Sequence, residues 1–90
     1  MSPEQNQMLR DALVAALVVS SPLSLPLGTL RMTAKAAGFM VDDATLSGHI
    51  DYLIKKGLVQ VKEAPKKLSA VVRWECTAEA VDYCEAEGLV

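Results

Sequence analysis

A chain of 90 residues supports one domain, and at that length folding hides roughly 60–70% of the surface the open chain exposes, enough for one core without staples. Apolar residues make up 51% of it, yet the aromatic set is only Phe39, Tyr52, Trp74 and Tyr83, so the core has to be aliphatic, which suits packed helices. A charged share of 22% argues against disorder, and no apolar run approaches the roughly 18 residues that span a bilayer.

The first predicted helix covers about residues 3–19. Ser2 is placed as N-cap, Pro3 fills the first helical position, and Gln5 completes a capping box. Met8, Leu9, Ala12, Leu13, Ala16 and Leu17 form a stripe of helical period, with Val14 and Val18 lying off it and widening it. That width suggests either contact with another chain or simple burial. Ser20-Ser21-Pro22 stops the helix. The apolar stretch Ala12–Val19 reads as a buried helix face rather than a leader, with Arg10 and Asp11 beside it, so the expected location is the cytoplasm.

Residues 20–26 read as a loop punctuated by Pro22 and Pro26. The second helix is expected over about 27–37, with Leu30, Ala34 and Ala37 inward, Arg31 and Lys35 outward, and Gly38 ending it. The third, about 43–56, has Asp42 as N-cap and Val41 placed to staple onto Leu46. Leu46, Ile50, Leu53 and Ile54 mark its buried stripe, while Lys55 and Lys56 suit the negative end of the helix dipole before Gly57. A hairpin over about 58–76 follows. Leu58 to Lys62 alternates as a half-buried strand, Glu63-Ala64-Pro65-Lys66-Lys67 forms a polar tip, and Ala70 to Cys76 returns with Trp74 as an anchor beneath it. Thr77 caps a last helix, about 78–87, with Val81 and Cys84 inward and Gly88 at its end.

Charge is segregated along the chain. Residues 1–30 sum to −1, residues 31–73 to +4, and residues 74–90, with Glu75, Glu79, Asp82, Glu85 and Glu87 and no base, to −5. One basic and one acidic face are expected. Cys76 and Cys84 have neither a CxxC nor a zinc spacing and read as two buried free thiols. With one histidine, no Gly-rich phosphate loop and no nucleophile beside a base, an enzyme is not expected, and neither is a cofactor, a metal or a small-molecule ligand.

The order helix, helix-turn-helix, hairpin, helix predicts a single mainly α domain with a small β-hairpin (α+β), a winged helix-turn-helix with a three-helix core, a wing and a C-terminal helix. Thr45-Leu46-Ser47-Gly48-His49-Ile50-Asp51-Tyr52-Leu53, followed by Gly57-Leu58-Val59, resembles the recognition-helix signature of ArsR-type winged-helix repressors. Trp74-Glu75-Cys76-Thr77-Ala78-Glu79-Ala80 resembles the junction between wing and last helix in such domains. The paired-Cys motif of the metal sensors is missing, so metal sensing is not implied. The longer spacing from Gly38 through Val41-Asp42-Asp43 to Leu53 resembles small winged-helix proteins of Mu-like phages and prophages, over most of the chain. These resemblances imply a DNA-binding regulator.

In that case double-stranded DNA is the expected partner. Thr45, Ser47, Gly48, His49, Tyr52, Lys55 and Lys56 would form the recognition surface. Arg31, Lys35, Lys62, Lys66, Lys67 and Arg73 would meet phosphates from the wing and second helix. The third helix offers no outward Arg, Asn or Gln, and it carries Asp42, Asp43 and Asp51, so weak or wing-dominated contact is expected. Bland roles stand beside these: a solubilising tip for Lys66 and Lys67, a half-buried place at the core edge for His49, and the N-cap for Asp42. A homodimer through the first helix and the Leu89-Val90 tail is expected with DNA binding. The rival reading is a protein-interaction module using the acidic last helix or the apolar face of the first.

Overall fold

In the computed structural model, which describes residues 1–62 and 72–90, four helices and three short strands follow one another. They are α1 (Pro3–Ser20), β1 (Leu25–Pro26), α2 (Leu27–Ala36), α3 (Asp43–Lys55), β2 (Val59–Val61), β3 (Arg73–Cys76) and α4 (Ala78–Ala86). The helices lie within a residue or two of the sequence expectation.

Local chemistry sets the boundaries. The Gln5 N–H donates to Ser2 Oγ at 3.1 Å and the Ser2 N–H to Gln5 Oε1 at 3.0 Å, closing the capping box of α1. Asp42 Oδ1 accepts the Thr45 N–H at 2.7 Å at the head of α3, and Thr77 Oγ1 accepts the Ala80 N–H at 3.2 Å at the head of α4. The far ends of α2, α3 and α4 repeat one device. Gly38, Gly57 and Gly88 take positive φ, and the next residue's N–H reaches back five residues, as Phe39 to Ala34 O, Leu58 to Leu53 O and Leu89 to Cys84 O. Phe39, Leu58 and Leu89 then pack on the core, so each glycine turns the chain and an apolar residue pins the turn.

Helix α1 lies at the centre, against α2, α3, α4 and β3. Leu9, Leu13, Val14 and Leu17 on it are fully buried and meet Leu30 and Ala34 of α2, Leu46, Ile50 and Leu53 of α3, Val59 of β2, and Ala80 and Cys84 of α4. Several expectations change here. Val14 belongs to the core, whereas Met8, at 61% exposure, lies outside it. On α2, Ala37 is exposed because it sits at the C-cap, where the helix turns away. On α4, Ala80 is buried with Cys84, while Val81 is half-buried. Cys84 is buried as expected, but Cys76 on β3 is only half-buried.

The sheet has one strand more than the sequence suggested. Leu25 and Pro26 pair antiparallel with Trp74 and Arg73, so the segment read as loop forms β1, and the strand order is β1-β3-β2. Pro26 is tolerated because an edge strand leaves one row of N–H groups unused. On the other side Val59, Gln60 and Val61 face Cys76, Glu75 and Trp74, and Gln60 Nε2 donates to Glu75 Oε1 at 2.9 Å directly across the ladder. Trp74 in the middle strand packs on the core, as an anchor under the wing should. The expected hairpin tip, with Lys66 and Lys67, lies outside the described residues.

Candidate nucleic-acid interface

Helices α2 and α3 form the helix-turn-helix, joined by Ala37–Asp42 and both packed on α1. With Leu46, His49, Ile50 and Leu53 buried, the opposite side of α3 presents Thr45, Gly48, Tyr52 and Lys55 at helical spacing, with Asp51 and Lys56 alongside. Ser47 is half-buried at the edge of this face. Lys35 is exposed on α2.

The acidic start of α3 is arranged so that its charges are engaged. Arg31 of α2 grips Asp43 with both arms of its fork, Nε to Oδ1 at 2.7 Å and Nη2 to Oδ2 at 2.9 Å. Asp43 is held below the usual carboxylate range, first by the Arg31 hydrogen bond, while Arg31 is pushed up by the same bond. Among the described residues this is the one ion pair. Asp42 is lowered as well, by its hydrogen bonds to Thr45. Arg31 therefore ties α2 to the head of α3 and offsets one of the charges that would oppose a phosphate.

His49 does not face outward. It is 8% exposed, and its Nδ1 accepts a hydrogen bond from Arg10 Nε at 3.2 Å. The expectation of a base-reading imidazole is corrected: position 49 falls on the same stripe as Leu46 and Leu53, which turns it toward α1. Burial lowers its pKa, and the Arg10 charge lowers it further. The Arg10 guanidinium also lies over the Tyr52 ring, 3.8 Å from its centroid, and Lys56 Nζ is 5.6 Å from the same ring. Tyr52 is thus exposed on one side and clasped on the other.

Arg10, Tyr52, Lys56 and Tyr83 wall a cleft between α1, α3 and α4. Across it, Tyr83 Oη donates to Asp11 Oδ1 at 2.6 Å and Gln7 Nε2 donates to the same oxygen at 2.8 Å. The carboxylate pushes the Tyr83 pKa up to about 12. Gln7, Arg10 and Asp11 share one face of α1 at spacings of three and four, which the sequence could have shown; their partners it could not. On the wing, Lys62, just past β2, donates its N–H to Arg73 O of β3 at 2.9 Å, both side chains are exposed, and Arg73 Nη1 donates to Ser24 O at 3.2 Å.

A wing whose middle strand is paired on both sides, following a helix-turn-helix built on a central helix, defines a winged-helix domain. Two solved structures share this fold. A PadR family transcription regulator from Clostridium difficile R20291 superposes with a TM-score of 0.69 at 12% identity, over 89% of this chain and 83% of that one. Wild-type MarR from E. coli in its apo form superposes with a TM-score of 0.66 at 16% identity, over 92% of this chain and 64% of that one. No family model matches the sequence, and no curated protein does. Among the described residues, no helix is long and apolar enough to cross a membrane.

Proposed function

We propose that this chain is a DNA-binding transcriptional regulator, of phage or prophage type, acting in the cytoplasm with contacts carried more by the wing than by base reading. The observation behind it is a set of exposed cations on the helix-turn-helix and the wing. Lys35 of α2, Lys55 and Lys56 at the end of α3, and Lys62 and Arg73 of the wing are all exposed, in a fold that a PadR family transcription regulator also has. Thr45, Ser47, Gly48 and Tyr52 are the base-edge candidates, and Lys66 and Lys67 join the phosphate-binding set from sequence alone. The stretch from Gly38 to Leu53 supports the phage assignment through its resemblance to Mu-like phage proteins.

The regulator works as a homodimer in this reading, through α1 and the C-terminal segment. Val19 at 74%, Met8 at 61% and Val90 at 55% exposure supply apolar surface for it. Leu89 is already packed on its own core. A light-scattering mass of one chain at micromolar concentration would remove the dimer.

Fluorescence anisotropy with duplex DNA over a salt series tests the main reading. Affinity should fall steeply with salt, and replacing Lys66 and Lys67 by alanine should lower the log–log slope by about one per lysine. The exposed acids of α4, Glu79, Asp82, Glu85 and Glu87, favour the second reading of a protein-docking module. Absence of DNA binding even at low salt would leave that reading standing.

A further inference from the structure

The contact between α1 and α3 contains a chain of three side chains that ordinary packing does not require. Arg10 lies between two groups of α3: its Nε donates to the Nδ1 of buried His49, and its guanidinium plane covers the Tyr52 ring. We propose that Arg10 is a positioning residue for α3, a latch from α1 that holds Tyr52 while the His49 imidazole is neutral and releases it when His49 takes up a proton.

The chemistry is that of the imidazole lone pair. Nδ1 can accept the Arg10 N–H only while it carries no hydrogen of its own. A protonated ring donates from both nitrogens, so the bond is lost and two cations are left in contact in a largely buried place. Arg10 then has to swing away, and its stack on Tyr52 goes with it. Burial already disfavours the charged ring, so the latch is closed at neutral pH.

Among the described residues, no other charge answers for His49. On α1, Asp11 is engaged by Tyr83 and Gln7. On α2, Arg31 is turned to Asp43, and Lys35 is exposed. Strand β2, Val59–Val61, carries no ionisable side chain. On α3 itself, Lys56 lies toward the Tyr52 ring, and Asp51 is exposed. Among the described residues, Arg10 is the cation that faces the imidazole.

The latch concerns the same helix as the proposed DNA reading, but its test needs no DNA, so either can fail alone. His49 is the single histidine, so its ring proton signal follows one site. In the full chain with labelled tyrosine rings, an NMR titration should show Tyr52 shifting with the His49 midpoint while Tyr83, bound to Asp11, stays still. In Arg10→Ala the His49 midpoint should move back up, and Tyr52 should lose most of its response. Arg10→Lys, which keeps the charge without the planar fork, should not restore it. His49→Gln should hold the Tyr52 signals at their neutral-pH positions throughout. A Tyr52 ring that ignores the His49 titration in the wild type overturns the proposal. So does one that follows it equally in Arg10→Ala, or one that still moves over the same range in His49→Gln, a result that remains decisive if Arg10→Ala does not fold.

Discussion

Thr77 stands where α3, the wing and the last helix meet, and its hydroxyl makes two bonds at once. It accepts the Ala80 N–H at 3.2 Å as N-cap of α4 and donates to Gly57 O at 2.6 Å at the turn that ends α3. Thr77→Val keeps shape and branching and deletes both bonds. Loss of a cap costs about 1 kcal/mol. The lost donor bond adds about 0.5 kcal/mol, the low end of its usual range, because Gly57 is exposed and water can replace the hydroxyl. The sum of about 1.5 kcal/mol corresponds to a fall in melting temperature of about 6–12 °C for a domain this small. Thr77→Ser, which keeps the oxygen, should stay within about 0.5 kcal/mol of the wild type. Urea unfolding followed by the emission of Trp74, the single tryptophan, gives both values. If the valine variant unfolds with the wild-type midpoint, the hydroxyl does not join these elements and the argument fails.

Leu13→Ala on α1 removes a side chain with 0% exposure and should cost about 3–5 kcal/mol, whereas Met8→Ala, at 61% exposure, should be nearly silent in the same unfolding assay. Because His49 is lowered from 6.5 in the folded chain, the unfolded chain takes up the proton first. Stability should therefore be full above about pH 6.5 and decline as pH falls from there toward the lowered folded value; His49→Gln should flatten that limb of a chemical denaturation series. At the other end, Tyr83 is raised to about 12 from 10.0, so its contribution is intact below pH 10 and lost as pH climbs toward 12. Tyr83→Phe should remove that alkaline dependence.

The helices were legible because their ends are written in local chemistry. Ser2, Asp42 and Thr77 announce starts, and a glycine followed by an apolar residue announces each of three stops. Strand β1 was not legible: two residues, the second a proline, carry no alternation, and what makes them a strand is Trp74 arriving from far along the chain. The charged site divides in the same way. The outward face of α3 follows from its period. The inward place of His49 follows from that period too, but its bond to Arg10 reaches 39 positions, and the Tyr83–Asp11 bond spans 72. Such pairs leave no mark on a window of neighbouring residues.

The strand order carries a consequence for solubility. A sheet with open edges can recruit strands from other molecules. Here one edge is β1, two residues long, ending at a proline that has no N–H to offer and that leads straight into α2. That side is blunt. Any cross-molecule strand pairing should therefore grow from β2, where Lys62 stands just past the strand. Replacing Pro26 by valine should open the second side and raise the tendency to aggregate, even where the folded domain itself is no less stable.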